Sequence, residues 1–305
     1  MRTNTNLVVN WHLTEACNYR CQYCYAKWDE AQSLKELIGD PKKTELLLQE
    51  LYNFFRPGNA SNPLWGKIHW ATLRLNLAGG EPLLYRRLLP NVVSKASALG
   101  FDVSLITNAS RLTENTLSAL APDLSWLGIS IDSAFGKTNR EIGRVDSRGH
   151  LLDYQALAAR LTVARAANPN MKIKINTVVN RSNEREDFSP LIVLLNPDKW
   201  KVLRVLPVVT DALTLSDEAF DAFLTRHQRF SAILCAENND EMRNSYLMVD
   251  PQGRFFQNGQ QGINGGYTYS LPIQDVGAAA AFNQISFDPD RFLARYPDVV
   301  RELVG

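Results

Sequence analysis

Short apolar runs alternate with longer stretches in which apolar residues recur at helical spacing through the first three quarters of the chain. Runs at 7–13, 72–77, 103–106, 127–131, 172–179 and 202–208 have the length and character of strands. The segments 43–55, 84–99, 114–120, 153–167, 188–195 and 216–226 carry the helical pattern. Pro57-Gly58 stops the first helix, Gly100 suits a helix C-cap, and Ser216 suits an N-cap. Strands that each lead into a helix imply a parallel sheet with right-handed crossovers. Six such units predict an α/β fold, a partial (β/α)6 barrel. The tail reads differently. Runs at 246–249 and 254–256 flank Asp250-Pro251-Gln252-Gly253, a hairpin signal, and 259–266 is a loop rich in Gly, Gln and Asn. The expected organisation is a partial barrel over 1–240. A C-terminal extension, 241–305, would pack on the same domain and close the substrate site.

Polar residues break the apolar pattern at particular places. A strand in a parallel sheet is normally buried on both faces and apolar throughout. In 172–179, Lys172, Lys174 and Asn176 share one face, with Ile173 and Ile175 on the other. Arg74 and Asn76 make a similar pair on the second strand, and Lys199 and Lys201 bracket Trp200. Buried lysines are costly unless paired, and a bound polyanion would pair them. A ring of Arg and Lys in a barrel mouth suits a phosphorylated substrate. The competing reading is that Lys172 and Lys199 reach solvent at strand ends.

Composition narrows the partners. The 305 residues are 45% hydrophobic and 21% charged, ordinary for a globular protein. A net charge of +1 gives no global attraction to nucleic acid or to an anionic membrane. There is no apolar run of membrane-spanning length and no signal-peptide core, so a cytoplasmic location is expected. Three of the four cysteines fall within eight residues, which suits metal ligation better than a disulfide framework.

Those three, Cys17, Cys21 and Cys24, follow the first strand with C-x3-C-x2-C spacing. The carboxyl ends of barrel strands are where such folds place their chemistry. Thiolates are natural ligands for iron–sulfur clusters, and three of them leave one iron of a four-iron cluster open. Structural zinc is the alternative; it needs a fourth ligand, which His12 or Cys235 could supply. The aromatic Tyr23 just before the last cysteine is unusual for zinc. Ala78-Gly79-Gly80-Glu81-Pro82 follows the second strand, and its glycines permit close approach of a ligand to the backbone. Thr107 and Asn108 follow the third strand; Ser130 and Asp132 end the fourth. These could contact a cofactor, or serve as ordinary strand-end caps.

The C-x3-C-x-aromatic-C motif after the first strand resembles the signature of the radical S-adenosylmethionine superfamily. The resemblance implies a 4Fe–4S cluster on Cys17, Cys21 and Cys24, with S-adenosylmethionine on the open iron. It also implies a 5′-deoxyadenosyl radical that takes a hydrogen atom from the substrate, so no protein side chain is assigned the catalytic step. Tyr23, Gly79, Gly80, Glu81, Thr107, Asn108, Ser130 and Arg144 would form the cofactor site. More narrowly, the chain resembles the viperin family from about residue 10 to 275. That likeness is carried by Asn18-Tyr19-Arg20-Cys21, Gly79-Gly80-Glu81-Pro82, Ile129-Ser130-Ile131-Asp132-Ser133 and Ile142-Gly143-Arg144. It continues through Lys174-Ile175-Asn176-Thr177-Val178-Val179-Asn180-Arg181, Leu195-Asn196-Pro197, Trp200-Lys201-Val202 and Ser245-Tyr246-Leu247.

This resemblance implies dehydration of a ribonucleoside triphosphate to its 3′-deoxy-3′,4′-didehydro form, a chain terminator in antiviral defence. Arg74, Lys174, Lys199 and Lys201 would bind the triphosphate, and Asn76, Asn176 and Tyr246 would line the nucleotide site. A flavodoxin- or ferredoxin-type reductant is implied. Arg74 stands where the family often has Lys, Lys199 where it often has Arg, and Ala78 where it usually has Ser. The amphipathic N-terminal helix and the terminal Trp of animal members have no counterpart here, which fits a soluble microbial homologue. A radical enzyme acting on another phosphorylated small molecule or a peptide is the competing reading. A non-catalytic cluster-bearing sensor is a third, although it would need neither the GGEP segment nor the cationic strand face.

Overall fold

Pairing of extended segments builds one ten-stranded sheet in the computed structural model, which describes residues 6–24, 36–207, 210–237, 244–258 and 267–294. Its strands are β1 (Asn6–His12), β2 (Thr72–Ala78), β3 (Asp102–Thr107), β4 (Trp126–Ser130), β5 (Lys172–Val179), β6 (Lys199–Arg204), β7 (Leu234–Glu237), β8 (Leu247–Val249), β9 (Arg254–Asn258) and β10 (Tyr267–Pro272). The order is β10-β9-β8-β1-β2-β3-β4-β5-β6-β7, so the sheet is open. Strands β1 to β7 run parallel, β8 runs parallel to β1, and β9 and β10 return antiparallel.

Seven helices follow the first six strands, six in the expected places and α4 an addition: α1 (Pro41–Phe55), α2 (Leu89–Leu99), α3 (Glu114–Leu120), α4 (Gly136–Glu141) with α5 (Tyr154–Ala167), α6 (Ser189–Leu195) and α7 (Asp217–Arg226). Their ends obey local chemistry. Asp40 accepts from the Lys42 and Lys43 amides, Asp153 from those of Gln155 and Ala156, and Ser216 from that of Ala219. Gly100 closes α2 in the left-handed region, φ 102°.

Register assigns the faces. Leu7, Val9, Trp11, Leu73, Leu75, Leu77, Val103, Leu105, Leu127, Ile129, Ile173, Ile175, Trp200 and Val202 share the outer face and are buried in one core. Asn10, Arg74, Asn76, Ser104, Ser130, Lys174, Asn176, Lys199 and Lys201 share the opposite, inner face. The sheet also curls. Tyr246, which leads into β8, donates a 2.8 Å hydrogen bond to Glu237 on β7, seven steps away in the strand order. In a flat sheet those strands would be about 34 Å apart at roughly 4.8 Å per step. The partial barrel predicted from the pattern is therefore present, and its polar face is concave.

Several boundaries differ from the sequence reading. The sixth strand begins at Lys199, three residues before the expected 202, because charged side chains at 199 and 201 are accepted on the concave face. The strand β7 was not expected; Leu-Cys-Ala-Glu is too short and mixed to show a period. The helix expected over 84–99 is a 3-10 turn at Pro82–Tyr85 followed by α2, with Pro90 confined to the first turn, where its missing N–H costs nothing. The hairpin at 246–256 is present and gains a third strand, β10. The loop expected at 259–266 lies outside the described residues.

Trp200 locks β6 to the outer layer. It is fully buried among Phe188, Phe223 and His227, and its Nε1 donates to Thr177 Oγ1 at 2.9 Å. Trp200→Ala is expected to cost about 3–5 kcal/mol in denaturant unfolding; a cost below about 1 kcal/mol would contradict this packing role.

Candidate active site

The loop after β1 carries the three cysteines across the carboxyl ends of the strands. Backbone bonds hold it on both sides. Gly80 N and Glu81 N donate to Thr14 O (2.7 Å) and Ala16 O (2.9 Å); Arg20 N and Gln22 N donate to Gly143 O (3.1 Å) and Ile142 O (3.2 Å). These contacts explain two glycines. A Cβ on Gly80 would stand 2.1 Å from Ala16 O, and one on Gly143, at φ +80°, would stand 2.1 Å from Arg20 O. The double glycine, expected to let a ligand approach the backbone, also makes room for the cysteine loop.

Cys17, Cys21 and Cys24 are not joined in a disulfide, and each is partly exposed. Tyr19 N donates to Cys17 Sγ at 3.4 Å, Asn108 Nδ2 lies 3.9 Å from it, and Arg144 Nη1 lies 3.8 Å from Cys21 Sγ. Burial pushes the Cys17 thiol up and that of Cys21 to about 11, against the pull of Arg144. Ligation must therefore displace protons, as thiolate sites do. Among the described residues no three His, Cys, Asp or Glu side chains converge on one ion-sized point. Three cysteines on one loop, with Asn108 and Arg144 beside their sulfurs, fit a cluster that takes three thiolates from the chain. His12 is buried edge-on against Phe256, and burial lowers its pKa to about 4; Cys235 sits within β7 level with Lys201.

Two buried carboxylates anchor this end of the barrel. Glu81 is fully buried and accepts from Leu83 N (3.0 Å), Thr107 Oγ1 (2.6 Å) and Asn108 N (2.7 Å). Asp132 accepts from Val178 N (2.7 Å) and Tyr23 Oη (2.7 Å) and pairs with Arg144 at 2.9 Å. The Arg144 guanidinium also donates to Ser130 O and covers the Tyr19 ring at 5.4 Å. The side chains of Tyr23, Glu81 and Thr107, expected at the cofactor, are thus engaged in tying loops together. Asn108, Ser130 and Arg144 line a small cleft with Tyr19 and Tyr154.

The concave face below holds the cations. Lys174 lies opposite Gly128, whose missing side chain leaves it space, and pairs in register with Lys199. Desolvation, then Lys201, Arg74 and Lys199, push the Lys174 ammonium down to about 7. Lys201 pairs with Glu237 at 2.7 Å and donates to Tyr246 Oη at 3.3 Å. Lys172, by contrast, is exposed and stands with Arg74 at the Trp126 ring, each 5.6 Å from its centroid. Here the competing reading of a solvent-facing strand end is right for Lys172.

Asn76 Nδ2 donates to Asn10 Oδ1 and Ser104 Oγ to Asn76 Oδ1, both at 2.8 Å. Asn176 Oδ1 is buried with no hydrogen-bond partner, an acceptor that a ligand donor would satisfy. Asn10, Ser104 and Glu237 were missed from the sequence. The period-two rule applied to β1 and β3 would have found the first two; Glu237 gave no signal because its strand gave none.

A partial barrel with three clustered thiols beyond its strand ends and polar groups in its bowl defines a cluster-bearing enzyme class. The radical SAM superfamily model matches residues 11–192. An S-adenosylmethionine-dependent nucleotide dehydratase of Psychrobacter lutiphocae is 42% identical over 96% of this chain and 95% of its own. One of Pseudoalteromonas ulvae is 40% identical over 98% and 96%. A solved structure of native anSMEcpe with bound AdoMet and a peptide superposes with TM-score 0.63 over 94% of this chain and 83% of that one; at 14% identity it speaks to the fold alone. The chain belongs to the radical SAM superfamily and, within it, to the family of S-adenosylmethionine-dependent nucleotide dehydratases. Its cofactors are a 4Fe–4S cluster and S-adenosylmethionine. Among the described residues no helix is long and apolar enough to cross a membrane.

Gly143→Ala is expected to displace the Arg20 carbonyl and cut iron content on anaerobic reconstitution well below that of the wild type. Full iron loading in a folded Gly143→Ala protein would show that this contact does not hold the cysteine loop.

Proposed function

We propose that this protein dehydrates a ribonucleoside triphosphate to the 3′-deoxy-3′,4′-didehydro nucleotide, a chain terminator serving antiviral defence. One observation carries the reading: the strand register puts Arg74, Lys174, Lys199 and Lys201 on one concave face below the cysteine loop. Four cations against the one carboxylate of Glu237 leave this face with an excess of positive charge, which a triphosphate would match.

Cys17, Cys21 and Cys24 hold the cluster, which with S-adenosylmethionine supplies a radical able to abstract hydrogen. Arg144, Asn108 and Ser130 border the adjoining cleft and orient the methionyl end, with Arg144 kept in place by Asp132. Glu81 and Thr107 keep the Gly79-Gly80 turn against the cysteine loop, and Tyr23 ties that loop to Asp132. Arg74, Lys174, Lys199 and Lys201 take the triphosphate; Asn76, Asn176 and Tyr246 face the nucleoside. Tyr246, near the start of the C-terminal extension, borders this site from the β8 side. A flavodoxin- or ferredoxin-type donor in the cytoplasm reduces the cluster.

The test is anaerobic turnover of reduced, reconstituted protein with S-adenosylmethionine and each nucleoside triphosphate singly. The expected result is 5′-deoxyadenosine formation stimulated by a triphosphate, with a nucleotide product lighter by one water. Cleavage indifferent to every triphosphate would discard nucleotide dehydration and point to other phosphorylated substrates.

Lys174 makes nucleotide affinity pH-dependent. Its lowered pKa means that above about pH 7 the free site loses this charge, and triphosphate binding must then recruit a proton. Affinity measured by calorimetry is expected to fall as pH rises from 6.5 to 8.5, and Lys174→Ala should weaken binding and flatten that slope. An unchanged slope in Lys174→Ala would refute the assignment.

A further inference from the structure

Glu237 is an acidic group inside a cationic bowl. It is 4% exposed, and a buried carboxylate persists only where partners compensate it. Two of its partners are functional candidates: Lys201 Nζ at 2.7 Å and Tyr246 Oη at 2.8 Å. The Lys201 ammonium also lies 5.6 Å from the centre of the Tyr246 ring. This group joins β6 and β7 on one flank of the open sheet to the segment entering β8 on the other. Glu237 is also a carboxylate that pulls the Lys174 pKa upward against Lys201, Arg74 and Lys199.

We propose that Glu237 is a resident counter-anion that the substrate's phosphates displace from Lys201. This rests on the reading of the concave face as a triphosphate site. Lys201 cannot give its shortest contact to Glu237 and to a phosphate at once, so binding exchanges one anion for another. A triphosphate, with roughly four negative charges to one, wins the exchange. Glu237 keeps accepting the hydrogen bond from Tyr246 Oη, so the hydroxyl stays oriented while the lysine moves. Glu237 thus stabilises the nucleotide-free barrel mouth and weakens nucleotide binding, which favours release of an equally charged product.

Opposite signs distinguish this role from a merely structural one. Glu237→Gln keeps an acceptor for Tyr246 and removes the charge. Its nucleotide-free form is expected to melt at lower temperature than the wild type. It should bind the nucleoside triphosphate, and inorganic tripolyphosphate as a probe without a nucleoside, at least about fivefold more tightly by calorimetry. Glu237→Asp, which withdraws the carboxylate from Lys201 by one methylene, should move both quantities the same way by less, and serves if the Gln variant does not fold. Unchanged or weaker binding in a folded variant, alongside normal binding by the wild type, overturns the counter-anion role alone. A wild type that binds neither ligand overturns the triphosphate reading and this proposal with it.

Discussion

Everything in this protein's chemistry depends on the two-residue repeat of the strand. Because side chains alternate, the same eight residues of β5 place Ile173 and Ile175 in the core and Lys174 and Asn176 in the bowl. The apolar face supplies the burial that holds the helices, and the concave face is left free to be polar. The helices need only one good face of the sheet, so charges on the other cost little packing. Their cost is electrostatic, and the site arranges to meet it.

At the strand ends the controlling contacts are backbone to backbone. The cysteine loop is clamped through its backbone between the turn at Gly79-Gly80 and the turn at Ile142-Gly143, so the clamp itself uses none of the cysteine sulfurs. Buried carboxylates complete the clamp. Glu81 ties the second strand end to the third, and Asp132 ties the fourth to the fifth while holding Tyr23 and Arg144. The loop's geometry is therefore set before any ligand binds, as preorganisation of a reactive site requires.

Within the bowl, charge balance is as important as charge count. Lys201, Glu237 and Tyr246 form a closed set of contacts, while Lys174 bears the cost of its cationic neighbours. The set also bridges the flanks of the curled sheet, so the segment entering β8 contributes to the same surface as strands far from it in order. Substrate binding and the geometry of the barrel mouth are linked through these few atoms.

The fold class, the face assignment and the thiol cluster were legible in the linear chain because each rests on local rules: alternation, helical spacing, and three cysteines within one loop. Gly100, Ser216 and the turn at 250–253 were readable for the same reason. What only the tertiary structure decided depends on contacts between segments distant in sequence. The glycines of the second strand end face Thr14 and Ala16, not open space. Tyr23 bonds Asp132 and Glu81 accepts from Thr107. Strand β7 forms because β6 offers it an edge, and only the curl of the sheet brings Glu237 to Tyr246. Local pattern determines which face a residue takes; the closing of the sheet determines which residue it meets there.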